Sequence, residues 1–313
     1  MLRQLFGLHP RVLAAAGLTA LIAVPAAALE GGQSPYIKGF RDFQTGIIPV
    51  EPGVYTRIET YYYRGSAVFH AGPRVRVTAD GSNLSELVSP SIVTPWQILG
   101  GTYALSARVT NSRLDIRTTT TTPLGSASRE GRLQGWNDLQ VTPFLLGWHN
   151  GNFHWNVAAS FWLPVGAYDA SRVANTGRNF TSFGTGFGFT YRDPLAGFEL
   201  SAATTVLFNT ENPATQYQSG RVLHIDYTVA KQLTPQFEIA AVGYIMYQLT
   251  ADSGAGAVFG QNRSHVAGLG PALNFMFALG DVPMTMQLKY YREFSAVNTT
   301  QGDAASFVVR TKF

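Results

Sequence analysis

The stretch Val222–Thr250, VLHIDYTVAKQLTPQFEIAAVGYIMYQLT, alternates apolar and polar side chains in two runs separated by Leu233–Gln236. In the first run Leu223, Ile225, Tyr227 and Val229 share one face, and His224, Asp226, Thr228 and Ala230 share the other. In the second, Phe237, Ile239, Ala241, Ile245, Tyr247 and Leu249 oppose Glu238, Tyr244 and Gln248. A strand sends successive side chains to opposite faces, so a period of two marks a β-strand with one greasy and one polar side. The same pattern recurs upstream, where Phe153, Trp155, Val157, Phe161 and Leu163 alternate with His154, Asn156, Ser160 and Trp162.

From Val54 onward this alternation predicts about twelve strands of about 11 to 17 residues, against a soluble mode of about 5 to 6. They are expected near Val54–Ala67, Glu86–Leu99, Thr102–Arg117, Leu133–Trp148, Phe153–Tyr168 and Phe180–Arg192. The second half continues as Phe198–Thr210, Arg221–Gln232, Phe237–Thr250, Arg263–Leu279, Pro283–Val297 and Asp303–Phe313. Short turns at Gly100-Gly101, His149–Asn152, Asp193–Gly197, Leu233–Gln236 and Gly280–Val282 alternate with longer polar links. Those links are Val68–Ser85, Thr118–Arg132, Asp169–Asn179, Glu211–Gly220 and Ala251–Asn262, with a brief last one at Asn298–Gly302. Short turns on one rim and long loops on the other are the two ends of an outer-membrane barrel. A soluble sandwich has no reason to sort its loops in this way.

Composition agrees. Only 13% of the 313 residues are charged, about half the usual soluble share. The absence of cysteine excludes a disulfide framework, thiolate metal sites and a cysteine nucleophile. The formal charge of +4 is small and unclustered, so nucleic acid is not an expected partner. Arg3, His9 and Arg11 precede the apolar run Val12–Leu29, which holds Pro25 and Ala26-Ala27-Ala28. That is the anatomy of a secretory signal peptide cleaved after residue 28, rather than a retained anchor. The expected division is therefore a signal peptide at 1–28, an N-terminal periplasmic or plug segment at 29–53, and an outer-membrane barrel at 54–313. An open sheet edge is not viable in hydrocarbon, which predicts closure into an all-β, antiparallel, up-and-down barrel. On the last strand Phe307, Val309, Thr311 and Phe313 are expected to face lipid, with Ser306, Arg310 and Lys312 inward. The terminal Phe resembles the C-terminal signal of bacterial outer-membrane barrels, which implies the barrel-assembly machinery as a partner during insertion.

Ahead of the first strand, Glu30-Gly31-Gly32, Tyr36, Gly39, Phe43, Gly46, Pro49, Pro52-Gly53 and Tyr55 stand in order, followed by Tyr61-Tyr62-Tyr63. Further on come Gly268-Leu269-Gly270-Pro271 and Leu288–Ala296 ahead of Gly302. These residues resemble the MetA-pathway phenol-degradation family of outer-membrane proteins. The resemblance implies a Gram-negative outer-membrane barrel associated with uptake of aromatic or other hydrophobic compounds, with no cofactor and no catalytic residue to carry over. It also implies that Tyr36, Gly39, Phe43, Gly46, Pro49, Pro52 and Gly53 belong to a segment that folds into the lumen as a plug. The alternative is a loose periplasmic tail, in which Tyr36, Phe40 and Phe43 would be poorly placed in water.

Eight strands give a barrel filled by its own side chains and sixteen leave a channel, so twelve predicts a narrow, partly obstructed lumen. The inward set on the first strand is Tyr55, Arg57, Glu59, Tyr61 and Tyr63. Other lumen candidates are Arg108, His154, Asn156, Trp162, His224, Asp226, Lys289, Tyr291, Glu293 and Arg310. Both signs of charge stand among aromatic faces, which suits passage of a small, partly apolar solute. The plainer alternative is an ion-paired network that stiffens the wall, because interior charges generally pair. Gly184, Gly186 and Gly188 fall on one inward face, where missing side chains make room for a plug, a solute or a bend. Thr118–Thr122 reads as an exposed loop edge.

Catalysis is poorly supported. The histidines show no metal spacing and no H-E-x-x-H, and no G-x-S-x-G elbow occurs. Ser264-His265 is adjacent in sequence, so a strand points the two side chains apart. The expected function is a passive outer-membrane transporter for small hydrophobic or aromatic solutes. The alternatives are a structural or adhesive barrel acting through its external loops, and a membrane-embedded lipid hydrolase.

Overall fold

The computed structural model describes residues 34–70, 74–257 and 263–312; the signal-peptide expectation, the motif Glu30–Gly32 and the terminal Phe313 lie outside them. The described chain forms thirteen strands: β1 (Gly53–His70), β2 (Arg76–Ile98), β3 (Gly101–Thr122), β4 (Gly125–Trp136), β5 (Leu139–Asn150), β6 (Phe153–Leu163) and β7 (Ser182–Asp193). There follow β8 (Phe198–Asn209), β9 (Val222–Thr234), β10 (Phe237–Gln248), β11 (His265–Leu279), β12 (Val282–Val297) and β13 (Gln301–Lys312).

Each strand pairs antiparallel with the next except β4 with β5, and β1 closes on β13 from Tyr55↔Lys312 to Ser66↔Gln301. Twelve strands complete the ring, and β4 is the extra piece. It shares β3 with β5: Thr102–Arg108 of β3 pair with β5, and Asn111–Thr122 pair with β4. The two partners run in the same direction, so they form one wall strand interrupted at Asn137-Asp138. Asn137 N bridges the break by donating to Thr110 O at 2.9 Å.

The predicted alternation sorts side chains as expected. On β9 His224, Asp226 and Thr228 are buried, while Val229 is exposed; on β10 Glu238, Tyr244 and Gln248 are buried and Ile239, Ile245 and Tyr247 point out. An outward apolar surface runs round the ring, from Ile58 and Val88 through Leu200 to Leu273, Leu288 and Phe307. Near the short turns the outer face is aromatic. Trp148 stacks on Trp155 with centroids 6.3 Å apart, and Phe153 meets Tyr191 at 5.0 Å. A greasy band edged by rings is what a bilayer and its interface select.

Two predicted loops are strands instead. Val68–Ser85 and Thr118–Arg132 were expected as long links. β1 and β2 instead pair out to His70↔Arg76, and β3 and β4 pair out to Thr122↔Gly125 around a tight turn. Thr118–Thr122 are therefore paired strand residues, not a loop edge. The remaining long links, 164–181, 210–221 and 249–264, contain no named strand among their described residues.

Candidate functional site

Residues 34–51 form an irregular segment whose backbone and side chains are held by inward-facing groups from around the ring. Irregular backbone carries unpaired N–H and C=O groups that must find partners when buried. Wall carboxylates and hydroxyls accept the N–H groups. Asp226 accepts from Gly39 N at 3.1 Å and Arg41 N at 3.1 Å, Glu199 from Gln44 N at 2.6 Å, and Thr190 Oγ1 from Gly46 N at 2.9 Å. Wall donors serve the carbonyls: Lys289 Nζ reaches Gly39 O at 2.8 Å, Asn156 Nδ2 reaches Thr45 O at 2.8 Å, and Arg310 reaches Phe43 O at 3.3 Å. These groups sit on β6, β7, β8, β9, β12 and β13, so the segment crosses the interior rather than lining one side.

Charge fixes its centre. Asp42 is fully buried among Arg57 at 3.0 Å, Lys289 at 2.9 Å and Arg310. Glu59 accepts from Arg57 at 2.7 Å and lies 3.6 Å from Lys289. Nearer the long-loop rim, Glu293 pairs with Lys38 and accepts from Tyr63 at 2.7 Å, Tyr244 at 2.9 Å and Gly302 N at 2.8 Å. Tyr36 donates to Asp226 at 2.5 Å and stacks on His224 with centroids 4.4 Å apart. Phe40 meets two guanidinium groups, Arg57 at 4.2 Å and Arg108 at 3.6 Å from its ring centroid.

Close approach explains three glycines. A Cβ on Gly46 would lie 2.4 Å from Thr190 N, and one on Gly188 would lie 2.8 Å from Thr45 O. Gly39 has φ +71° and sits against the Tyr291 ring. The space on β7 left by Gly188 is therefore filled by the segment, while a Cβ on Gly184 would lie 2.8 Å from the Trp162 ring.

Most lumen candidates meet in this assembly. Glu59, Tyr61, Tyr63, Arg108, Asn156, Trp162, His224, Asp226, Lys289, Tyr291 and Glu293 are all buried, and Arg57 and Arg310 reach Asp42. Two candidates stand apart from the central cluster. Tyr55 donates to Glu51 O at 2.9 Å, and the His154 ring meets His149 with Nδ1 atoms 2.7 Å apart beside a short turn. Among plug candidates Tyr36, Gly39, Phe43 and Gly46 sit inside and Pro49 is half-buried. Pro52 is exposed and Gly53 already begins β1, so these two belong to the barrel entry. Ser264 is buried against Gln248 at 3.0 Å, whereas His265 stacks on Tyr247, so the pair diverges as the strand period requires.

Sequence reading missed Lys38, Arg41, Asp42, Glu199 and Gln140. An irregular segment has no period to mark its charged side chains as inward, and Glu199 stands in an otherwise ordinary alternating strand. No cluster of three or more potential metal ligands occurs among the described residues.

Toward the long-loop rim the segment leaves a cavity of about 120 Å³. Tyr36, Tyr61, Tyr63 and Trp162 supply rings to its wall, and Lys38, Arg108 and Arg178 supply cations. The link between β6 and β7 covers it. Asp138 anchors that link by accepting from Gly166 N at 3.1 Å and Arg178 N at 3.0 Å. Farther along the link Asp169 accepts from Ser171 Oγ at 2.7 Å and Ser171 N at 2.9 Å, and these bonds hold its carboxyl below the ordinary value.

Among solved structures, the COG4313 outer membrane channel from Pseudomonas putida F1 is similar at a TM-score of 0.59 and 13% identity, covering 85% of this chain and 97% of that one. The transport unit of the autotransporter AIDA-I from Escherichia coli matches at 0.45 and 10% identity, covering 85% and 93%. A Pseudomonas aeruginosa FadL homologue matches at 0.38 and 10% identity, covering 84% and 89%. The first establishes the fold. No curated protein matches the sequence. The family described as "Putative MetA-pathway of phenol degradation" matches residues 62–309. With most of its length so matched, and folded as a barrel of the Gram-negative outer-membrane type, the chain belongs to that phenol-degradation family.

Proposed function

We propose that the protein is a passive outer-membrane route for small aromatic or hydrophobic solutes, and that residues 34–49 plug it until they shift. One observation carries this reading: a closed ring encloses a segment fastened by ion pairs, leaving a ring-lined cavity on its long-loop side. Solute enters from the long-loop rim, meets aromatic faces in the cavity, and passes when the segment yields. The family's description connects it with phenol degradation, and the fold relative is a channel. Flux follows the gradient, without a covalent step, and Ser264 and His265 offer no dyad. The barrel-assembly machinery would insert the chain.

Initial uptake of radiolabelled phenol at low external concentration tests the reading in cells with and without the protein. Uptake should be several-fold faster with it and insensitive to an uncoupler. Equal rates in the two strains would refute the transport role.

A further inference from the structure

Arg108 is 6% exposed, yet among the described residues its guanidinium makes no hydrogen bond and no ion pair, and its Nε is buried without a partner. It lies over the face of Phe40, 3.6 Å from the ring centroid. Asp42, by contrast, is paired with three cations. A buried cation without a counter-ion is costly, and more so with Arg57 over the same ring at 4.2 Å. The stack leaves the guanidinium edge directed at the cavity it lines.

Three residues lining this cavity also hold a polar atom buried without a partner among the described residues: Asn137 Oδ1, Gln140 Oε1 and Thr176 Oγ1. Two of these are acceptors that ask for a donor. The strand register then sets the geometry. Arg108 on β3 lies opposite Gln140 on β5, and Gln140 lies opposite Trp162 on β6. Directly paired residues have Cβ atoms about 5 Å apart, so a cationic donor, an amide acceptor and an indole stand side by side at one level. A volume of about 120 Å³ is of the order that admits one benzene ring, which a dry cavity of about 150 Å³ accepts.

We infer that this cavity is a binding site for an aromatic carboxylate bearing a ring hydroxyl, its carboxylate on Arg108 and its hydroxyl donating to Gln140 or Asn137. The ring lies among Trp162, Tyr36 and Tyr61. This inference rests on the transport reading and names the solute that the route prefers. Among the described residues Asp138 is the one carboxylate lining the cavity, and it accepts from Gly166 N and Arg178 N. It therefore leaves the anion's place free of direct competition.

Isothermal titration of the purified mature protein in detergent tests the site with 4-hydroxybenzoate, 4-hydroxybenzamide and acetate as probes. A hydrogen bond to a charged group decides between the first two, so 4-hydroxybenzoate should bind about tenfold or more tightly than the amide. Acetate, lacking the ring, should not saturate in that range. Arg108→Gln should abolish the preference for carboxylate over amide, and Arg108→Lys should keep part of it. Equal binding of acid and amide to the unaltered protein would overturn the proposal without any variant. So would an unchanged ratio in Arg108→Gln, and acetate binding as tightly as the aromatic acid would overturn the aromatic part. Phenol uptake separates the failures. If uptake needs the protein but no carboxylate preference exists, this inference falls and the transport reading stands. If uptake does not need the protein, the transport reading falls whatever the titration shows.

Discussion

Asp42 concentrates the residue-scale physics of the lumen, since one carboxylate compensates Arg57, Lys289 and Arg310 at once. Removing one partner of a buried ion pair costs on the order of 3 to 5 kcal/mol, because the remaining charges lose their counter-ion. Asp42→Asn should therefore loosen the inner segment while leaving the ring intact. Hydrolysis of nitrocefin by a periplasmic β-lactamase should speed several-fold in intact cells carrying Asp42→Asn, and an unchanged rate would show that the cluster does not hold the segment. Gly46 acts through space rather than charge. An added Cβ would press within 2.4 Å of Thr190 N, so Gly46→Val should raise the same rate without altering barrel assembly on a heat-modifiable gel. Of these two positions only Gly46 was legible from sequence, through its place in the Gly/Pro motif. Asp42 was not, because a coil offers no alternation to say which side chains face inward. The unpaired state of Arg108 was equally hidden: alternation places a side chain on a face, and pairing depends on neighbours brought together by the closed ring.

At the scale of elements, alternation identified the wall strands because lipid on one side and lumen on the other impose a period of two. It failed where that contrast ends. Beyond the apolar band the Thr118–Thr122 run carries no alternation, and the outer part of β1–β2 keeps a small apolar cluster of Ala67, Phe69 and Val77 rather than a sustained period, so Val68–Ser85 and Thr118–Arg132 read as loops. Backbone pairing continues there regardless, as Asp80↔Arg117 and Thr118↔Arg129 show. The break between β4 and β5 was likewise invisible within the single predicted strand Leu133–Trp148. It places Asp138 where it can anchor the link between β6 and β7. Asp138→Ala leaves the Gly166 and Arg178 N–H groups without that acceptor, at a cost of about 1 to 3 kcal/mol. Limited trypsin digestion should then cut at Arg172 or Arg178 several-fold faster than in the unaltered protein, and equal rates would show that the link is held elsewhere.

For the whole molecule, closure and obstruction are separate properties. Closure follows from backbone chemistry, since β1 and β13 satisfy each other's edges across a full set of register pairs. The proposed obstruction comes from the segment inside, whose own polar groups are met by side chains from most of the ring rather than by the ladder. The barrel should therefore persist without its plug. Planar-bilayer conductance of the purified protein, full length and with Gly32–Pro49 deleted, tests this most directly. The deletion should give stable channels of several-fold higher conductance, while the full-length protein stays mostly closed. Equal conductance from two correctly folded proteins would contradict the account.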